Sequence, residues 1–186
     1  MTQNMTQKTK RIFALSAALD IVIADQLSKW AVTEYMIRPL HGGAPVDLWD
    51  WITAAPPRLA YAQNELFPFF NIVMVWNKGV SFGLFNHDTD YGPLLLTALS
   101  LVISAIFLVW LFRTNSAVQL SGIALVIGGA IGNVIDRLRF GAVIDFLDFH
   151  VAGWHWPAFN LADSSIVIGI FILILYAIFF EERRHA

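Results

Sequence analysis

The sequence predicts a mostly α-helical integral membrane protein, with four transmembrane spans and a small β-sheet lying on the outer membrane surface. Three observations lead there: the composition, the length of the apolar runs, and a strand-like stretch between the first two spans. Of 186 residues, 57% are hydrophobic and 14% charged, whereas a soluble domain averages roughly 45–50% apolar and about 25% charged. The mean hydropathy is +0.61. A formal net charge of -2 supplies no basic stripe, which excludes nucleic acid as a partner. With no cysteine, the chain can form no disulfide, thiolate nucleophile or Cys-ligated metal centre. A single domain over residues 1–186 is expected.

The first span is placed at 12–33. Lys8, Lys10 and Arg11 precede it, as at the front of a signal peptide, but Asp20, Asp25 and Lys29 interrupt the apolar run and no clean cleavage site follows. An uncleaved helix with a cytoplasmic amino end is the expectation. The outer segment 36–92 comes next. Trp49, Trp51 and the run Phe67 to Phe70 suit the headgroup region. Residues 71–76 have the β-branched content of a strand, Asn77-Lys78-Gly79 reads as a turn, and 80–85 as a second strand.

The second span, 94–112, holds nothing more polar than Thr97, Ser100 and Ser104. About twenty helical residues cross a hydrocarbon core of about 30 Å. The third, 120–135, is rich in glycine, and Gly128-x-x-x-Gly132 lets a neighbouring helix approach closely. The fourth, 164–180, stops at Glu181-Glu182-Arg183-Arg184.

Four spans place both termini and the linker 113–119 on the cytoplasmic side. Lys and Arg divide evenly between the sides, but the inner ones crowd short segments beside the spans, which favours this orientation. Asp25, Asn77, Asp145 and Asp163 then meet at one outer interface. Two carboxyl groups held together in a low-dielectric site cannot both ionise. The ionised one can take a proton from water while its neighbour donates to a scissile amide, which is hydrolysis without metal or covalent intermediate.

Plainer roles exist for each residue. Asp163 precedes a helix and could be its N-cap; Asp145 could pair with Arg137 or Arg139. Asp25 and Lys29, spaced i,i+4, could neutralise each other. Asp136 reads as structural, just past the third helix. His150 and His155 lack the spacing of a His-Glu-x-x-His zinc motif and read as solvated or headgroup-facing. Two competing classes remain, a proton-coupled carrier using intramembrane acids and an assembly factor that docks partners on its aromatic outer segment.

The order of motifs narrows the choice. Asp25-Gln26-x-x-Lys29, Asn77-x-Gly79-x-x-Phe82-Gly83, Gly128-Gly129-Ala130-x-Gly132-Asn133-x-x-Asp136-Arg137, Gly141-x-Val143-x-Asp145-Phe146 and Phe159-Asn160-x-Ala162-Asp163-Ser164 together resemble lipoprotein signal peptidase, or signal peptidase II. The likeness runs from the first span to the fourth. It implies that Asp145 and Asp163 are the catalytic dyad, that Asn133, Arg137 and Asn160 shape the site, and that Asp25, Asn77 and Gly79 support structure or substrate placement.

The resemblance further implies a β-cradle with a short helix on the outer (periplasmic) surface of the bacterial inner membrane. The implied substrate is a prolipoprotein cut just before a diacylglyceryl cysteine, met within membrane lipid. No cofactor and no metal are implied, globomycin-type cyclic peptides are the expected inhibitors, and the enzyme is expected to act as a monomer. Residues 38–67 form a longer outer segment than the family usually has. With Trp49, Trp51 and Phe67 to Phe70 it is expected to supply a flap or platform over the substrate groove.

Overall fold

The computed structural model describes residues 6–79 and 91–181. Helix α1, Gln7–Ala31, begins where the Thr6 hydroxyl accepts the amide of Thr9 at 3.2 Å. It runs on through a wider helical turn, Val32–Ile37, and a tight one, Arg38–His41, until Gly42 at φ 73° ends it. Helices α3, Tyr91–Arg113, α4, Ala117–Phe140, and α5, Leu161–Tyr176, complete a bundle, with a short α2, Leu48–Ala54, outside it.

Among the described residues, three stretches are long and apolar enough to cross a membrane: α3, α4 and the run Leu161–Phe179 that begins with α5. The more polar α1 packs beside them against α4. Helix α4 is the central post, mostly buried, touching α1, α3 and α5, while α3 and α5 leave most of their apolar surface exposed. That inversion is expected when lipid is the solvent. Gly128 and Gly132 both face α1, as the spacing predicts. A Cβ on Gly128 would lie 2.7 Å from the carbonyl oxygen of Ala18, and one on Gly132 would lie 2.6 Å from a carboxylate oxygen of Asp25.

The helices are longer than their apolar runs. Helix α4 continues to Phe140, so Asp136, Arg137 and Arg139 occupy its last turns instead of following it. Two of these charges find partners there: Asp136 pairs with Lys29, and the Arg139 guanidinium lies 4.2 Å from the Trp51 ring centre.

The sheet is antiparallel in the order β1-β2-β3-β4: Gln63–Phe67, Phe70–Asn77, Val143–Val151 and Trp154–His155. The expected strand 71–76 is therefore present within β2. Its partners are β1 and β3, while the expected strand at 80–85 lies outside the described residues. A bulge between Ile72 and Val75 sets the register in which Val75 stands opposite Asp145. Beneath the sheet, Ile72, Met74, Phe140, Ile144 and Phe146 form one core with Val32 and Ile37; Ala18, Leu120, Ile123 and Leu173 belong to another within the bundle.

The segment between Arg38 and Phe67 is tied down by polar contacts to aromatic and backbone groups. Trp30 Nε1 donates to the Val46 carbonyl at 3.0 Å, and Trp76 Nε1 donates to that of Leu59 at 2.8 Å. Arg58 donates to the Phe140 carbonyl and Arg139 to that of Trp51. Trp51 is 1% exposed, so it is a core residue clamped by Arg139 and Phe140, and the expectation that it belongs to a surface platform is corrected. Trp49, Phe67 and Phe69 are exposed.

Candidate active site

Two backbone elements deliver the two aspartates. Asp145 is the third residue of β3, its side chain buried at 1% exposure. Asp163 stands in the first turn of α5, which Phe159 brings beside β3: its carbonyl accepts the amides of Phe146 and Leu147, and its own amide donates to Leu147. The next residue, Asn160, is the helix N-cap. Its side-chain oxygen accepts the Asp163 amide at 2.9 Å, and the Asp163 carboxylate accepts the Asn160 amide at 3.2 Å. Asp163 is thus the reciprocal member of a capping box, and the simple N-cap role belongs to Asn160.

Asn160 also joins the two acids. Its Nδ2 donates to Asp145 Oδ1 at 2.7 Å, with the Ile144 carbonyl and Asn133 Oδ1 at 3.1 and 3.2 Å. The other Asp145 oxygen accepts Asn77 Nδ2 at 2.9 Å, and Asn133 Nδ2 donates to Asp163 Oδ1 at 2.8 Å. Asn77 is oriented by Gly79, whose amide donates to its side-chain oxygen at 2.9 Å. Gly79 has φ 110°, a conformation that strains any residue with a Cβ. Each carboxylate oxygen therefore has an amide donor, and none has a cation hydrogen-bonded to it.

An ion pair between Asp145 and Arg137 or Arg139 is accordingly not what forms. Arg139 goes to Trp51 and Gln26. Arg137 is close enough to interact electrostatically with Asp163, Asp136 and Asp145, but its buried Nε has no hydrogen-bond partner. Burial, reinforced by the charge of Asp163, pushes Asp145 up to about 7, while the hydrogen bonds from Asn77 and Asn160 pull the other way. Near neutral pH Asp145 can therefore either hold or release its proton.

A second acidic cluster lies behind the first. Lys29 Nζ, fully buried, contacts Asp25 Oδ2 at 2.7 Å, Asp136 Oδ2 at 2.8 Å and Asn133 Oδ1 at 3.3 Å. Asp25 accepts the Ala162 amide at 3.0 Å, and Asp136 accepts the Ile144 amide at 3.1 Å. Those amides immediately precede Asp163 and Asp145 in the chain. Gln26 Nε2 completes the set by donating to Asp136 Oδ1 at 2.8 Å. Asp25 and Lys29 do neutralise each other, as their spacing suggests; sharing Lys29 with Asp136 across to α4 was not visible in either stretch alone.

Farther along β3, Asp148 accepts Asn71 Nδ2 at 2.8 Å and faces His155 Nδ1 at 2.9 Å. Burial pushes this carboxyl up, yet those two contacts hold it below its ordinary value. His155, about half exposed, stacks on His150 with ring centres 4.8 Å apart.

The family model described as signal peptidase (SPase) II matches residues 17–179. The chain is 39% identical over 173 residues to the lipoprotein signal peptidase of Paraburkholderia phymatum, covering 91% of this chain and 87% of that one. With the lipoprotein signal peptidase of Coxiella burnetii (strain Dugway) the identity is 35% over 175 residues, covering 92% and 94%. Among solved structures, a bacterial membrane enzyme determined by the in meso method at 1.9 Å resolution superposes with a TM-score of 0.66. It is 25% identical, and the match covers 91% of this chain and 94% of the other.

Proposed function

The chain belongs to the signal peptidase II family of aspartic peptidases, which removes signal peptides from prolipoproteins, and we propose that Asp145 and Asp163 carry out its chemistry. The observation that carries this reading is Asn160, one residue that hydrogen-bonds both carboxylates and so holds acids from a strand and a helix at a single point.

In the proposed reaction Asp145 holds the proton and Asp163 acts as base. Water between them loses a proton to Asp163 as its oxygen attacks the scissile carbonyl carbon, and Asp145 protonates the carbonyl oxygen. Collapse of the tetrahedral intermediate breaks the C–N bond while Asp163 returns a proton to the leaving nitrogen and Asp145 takes one back from a hydroxyl of the gem-diol, which restores the starting pair. The products are a signal peptide with a new carboxyl end and a mature chain with a free amine. Asn133, Asn77 and Asn160 hold the carboxylates in place, and Arg137 supplies positive charge nearby.

The scissile bond of the proposed substrate is the one just before a diacylglyceryl cysteine. Its acyl chains confine it to the bilayer, so enzyme and substrate meet by diffusion in two dimensions. α1 is proposed as a fourth span, with the termini cytoplasmic and the dyad at the outer face; the polar network that fills its outer half supports this assignment. Globomycin-type cyclic peptides are proposed competitors. The test is cleavage of a purified diacylglyceryl-modified prolipoprotein beside its unlipidated form by wild type, Asp145→Asn and Asp163→Asn. Cleavage of the lipidated form alone, lost in both variants, is expected; turnover by either variant would overturn the dyad.

A further inference from the structure

The dyad uses only the first half of β3. Beyond Asp148 the strand turns back at Ala152 and Gly153, with φ of 50° and 82°, so that Val151 pairs with Trp154 and His150 with His155. Positive φ at both turn residues matches the twist of a tight hairpin and gives the tip a defined shape. Val151 is 70% exposed and Trp154 61%, with Trp156 packed edge-on to Trp154. Together with Phe69 from the neighbouring β1–β2 turn, Phe149, His150 and Phe159, they line one mostly apolar groove. From 149 to 159 the chain carries no Asp, Glu, Lys or Arg.

An apolar surface of this extent needs a cover, and its position says which. Phe159 closes the groove at one end, stacked on Phe149. The next residue caps α5, which begins one of the membrane-length apolar runs. The groove is therefore continuous with the point at which the chain enters hydrocarbon. Its chemistry fits the interface: tryptophan pairs an apolar body with one N–H donor, the combination enriched at headgroup level, and no formal charge opposes burial.

We propose that the β3–β4 tip is a lipid anchor, with Val151, Trp154 and Trp156 seated in the headgroup region of the leaflet that borders the dyad, with or without substrate. The six residue steps from Asp145 to Val151 span about 20 Å of strand. Seating the tip therefore fixes the height and tilt of the catalytic acids relative to the bilayer.

The absence of cysteine makes site-specific labelling simple. Val151→Cys carrying a nitroxide would be placed in phosphatidylcholine–phosphatidylglycerol nanodiscs, and its collisions with oxygen and with an aqueous nickel chelate measured by electron paramagnetic resonance. Val102→Cys on the exposed face of α3 is the lipid standard and Gln7→Cys the aqueous one. The anchor predicts loss of nickel collisions at Val151 without substrate, and their return when Trp154→Ser and Trp156→Ser are added in a protein that still cleaves. Nickel access equal to that at Gln7 would overturn it. Protection that appears only when prolipoprotein is added would also overturn it and assign the groove to substrate.

Discussion

Two acidic clusters lie back to back in this molecule, and they have opposite electrostatic designs. In the Asp25–Lys29–Asp136 cluster a fully buried ammonium sits between two carboxylates, and amides of Gln26, Ala162 and Ile144 occupy the remaining oxygens. In the Asp145–Asp163 pair only amides reach the oxygens, and one carboxyl is pushed up to about 7. The difference shows how the same side chain becomes scaffold or reagent. Two acids with an ammonium between them hold geometry, whereas two acids joined only by amides can hold or release a proton at the pH of the cell.

The comparison can be broken most directly at the pair itself. Asp145→Asn and Asp163→Asn are expected to lower cleavage by about 10³-fold or more without lowering the thermal midpoint, read by cleavage assay and melting of the same samples. Lys29→Met should do the reverse first: leaving two buried carboxylates uncompensated costs about 3–5 kcal/mol. Adding Asp25→Asn should recover part of that. A Lys29→Met protein with unchanged melting and no turnover would move Lys29 from scaffold to chemistry.

Asn160→Ala lies between the two designs. Loss of a helix cap costs about 1 kcal/mol, while loosening both acids should reduce kcat by up to about 10²-fold, so activity should suffer more than stability. The smallest effect is expected at Asn77. Wild-type activity should fall as pH rises through about 7, because the group that must donate a proton, Asp145, ionises there. Asn77→Ala removes a hydrogen bond that favours the ionised form, so the alkaline limb of the pH–rate profile should move to higher pH, with kcat reduced less than about tenfold. Movement to lower pH would contradict the assignment of Asp145 as the acid. The same sign governs folding: a carboxyl raised in the native state contributes stability that is full below its unfolded value and is lost as pH rises through about 7.

Much of this arrangement was legible in the sequence because lipid makes the rules simple. Apolar length located the cores of all four long helices, the glycine spacing at Gly128 and Gly132 announced a close helix contact without naming its partner, and the polar motifs contained every residue found to hydrogen-bond Asp145 and Asp163. The misses share one physical cause. Asp136, Arg137 and Arg139 looked like the end of a helix because each charge was weighed alone, while Lys29 and Trp51, far away in sequence, neutralise or cover two of them. Trp51 looked like a surface anchor because tryptophan belongs at interfaces, but Arg139 and Phe140 give it an interior. β3 escaped notice because its aspartates break the apolar alternation of a strand, and partner residues from β2, β4 and the N-cap of α5 make those acids tolerable there.

The contact between Asp25 and the Ala162 amide joins positions 137 residues apart. The turn that carries Asp163 is thus seated by a contact that spans most of the chain, a closure of the long-range kind that folds slowly.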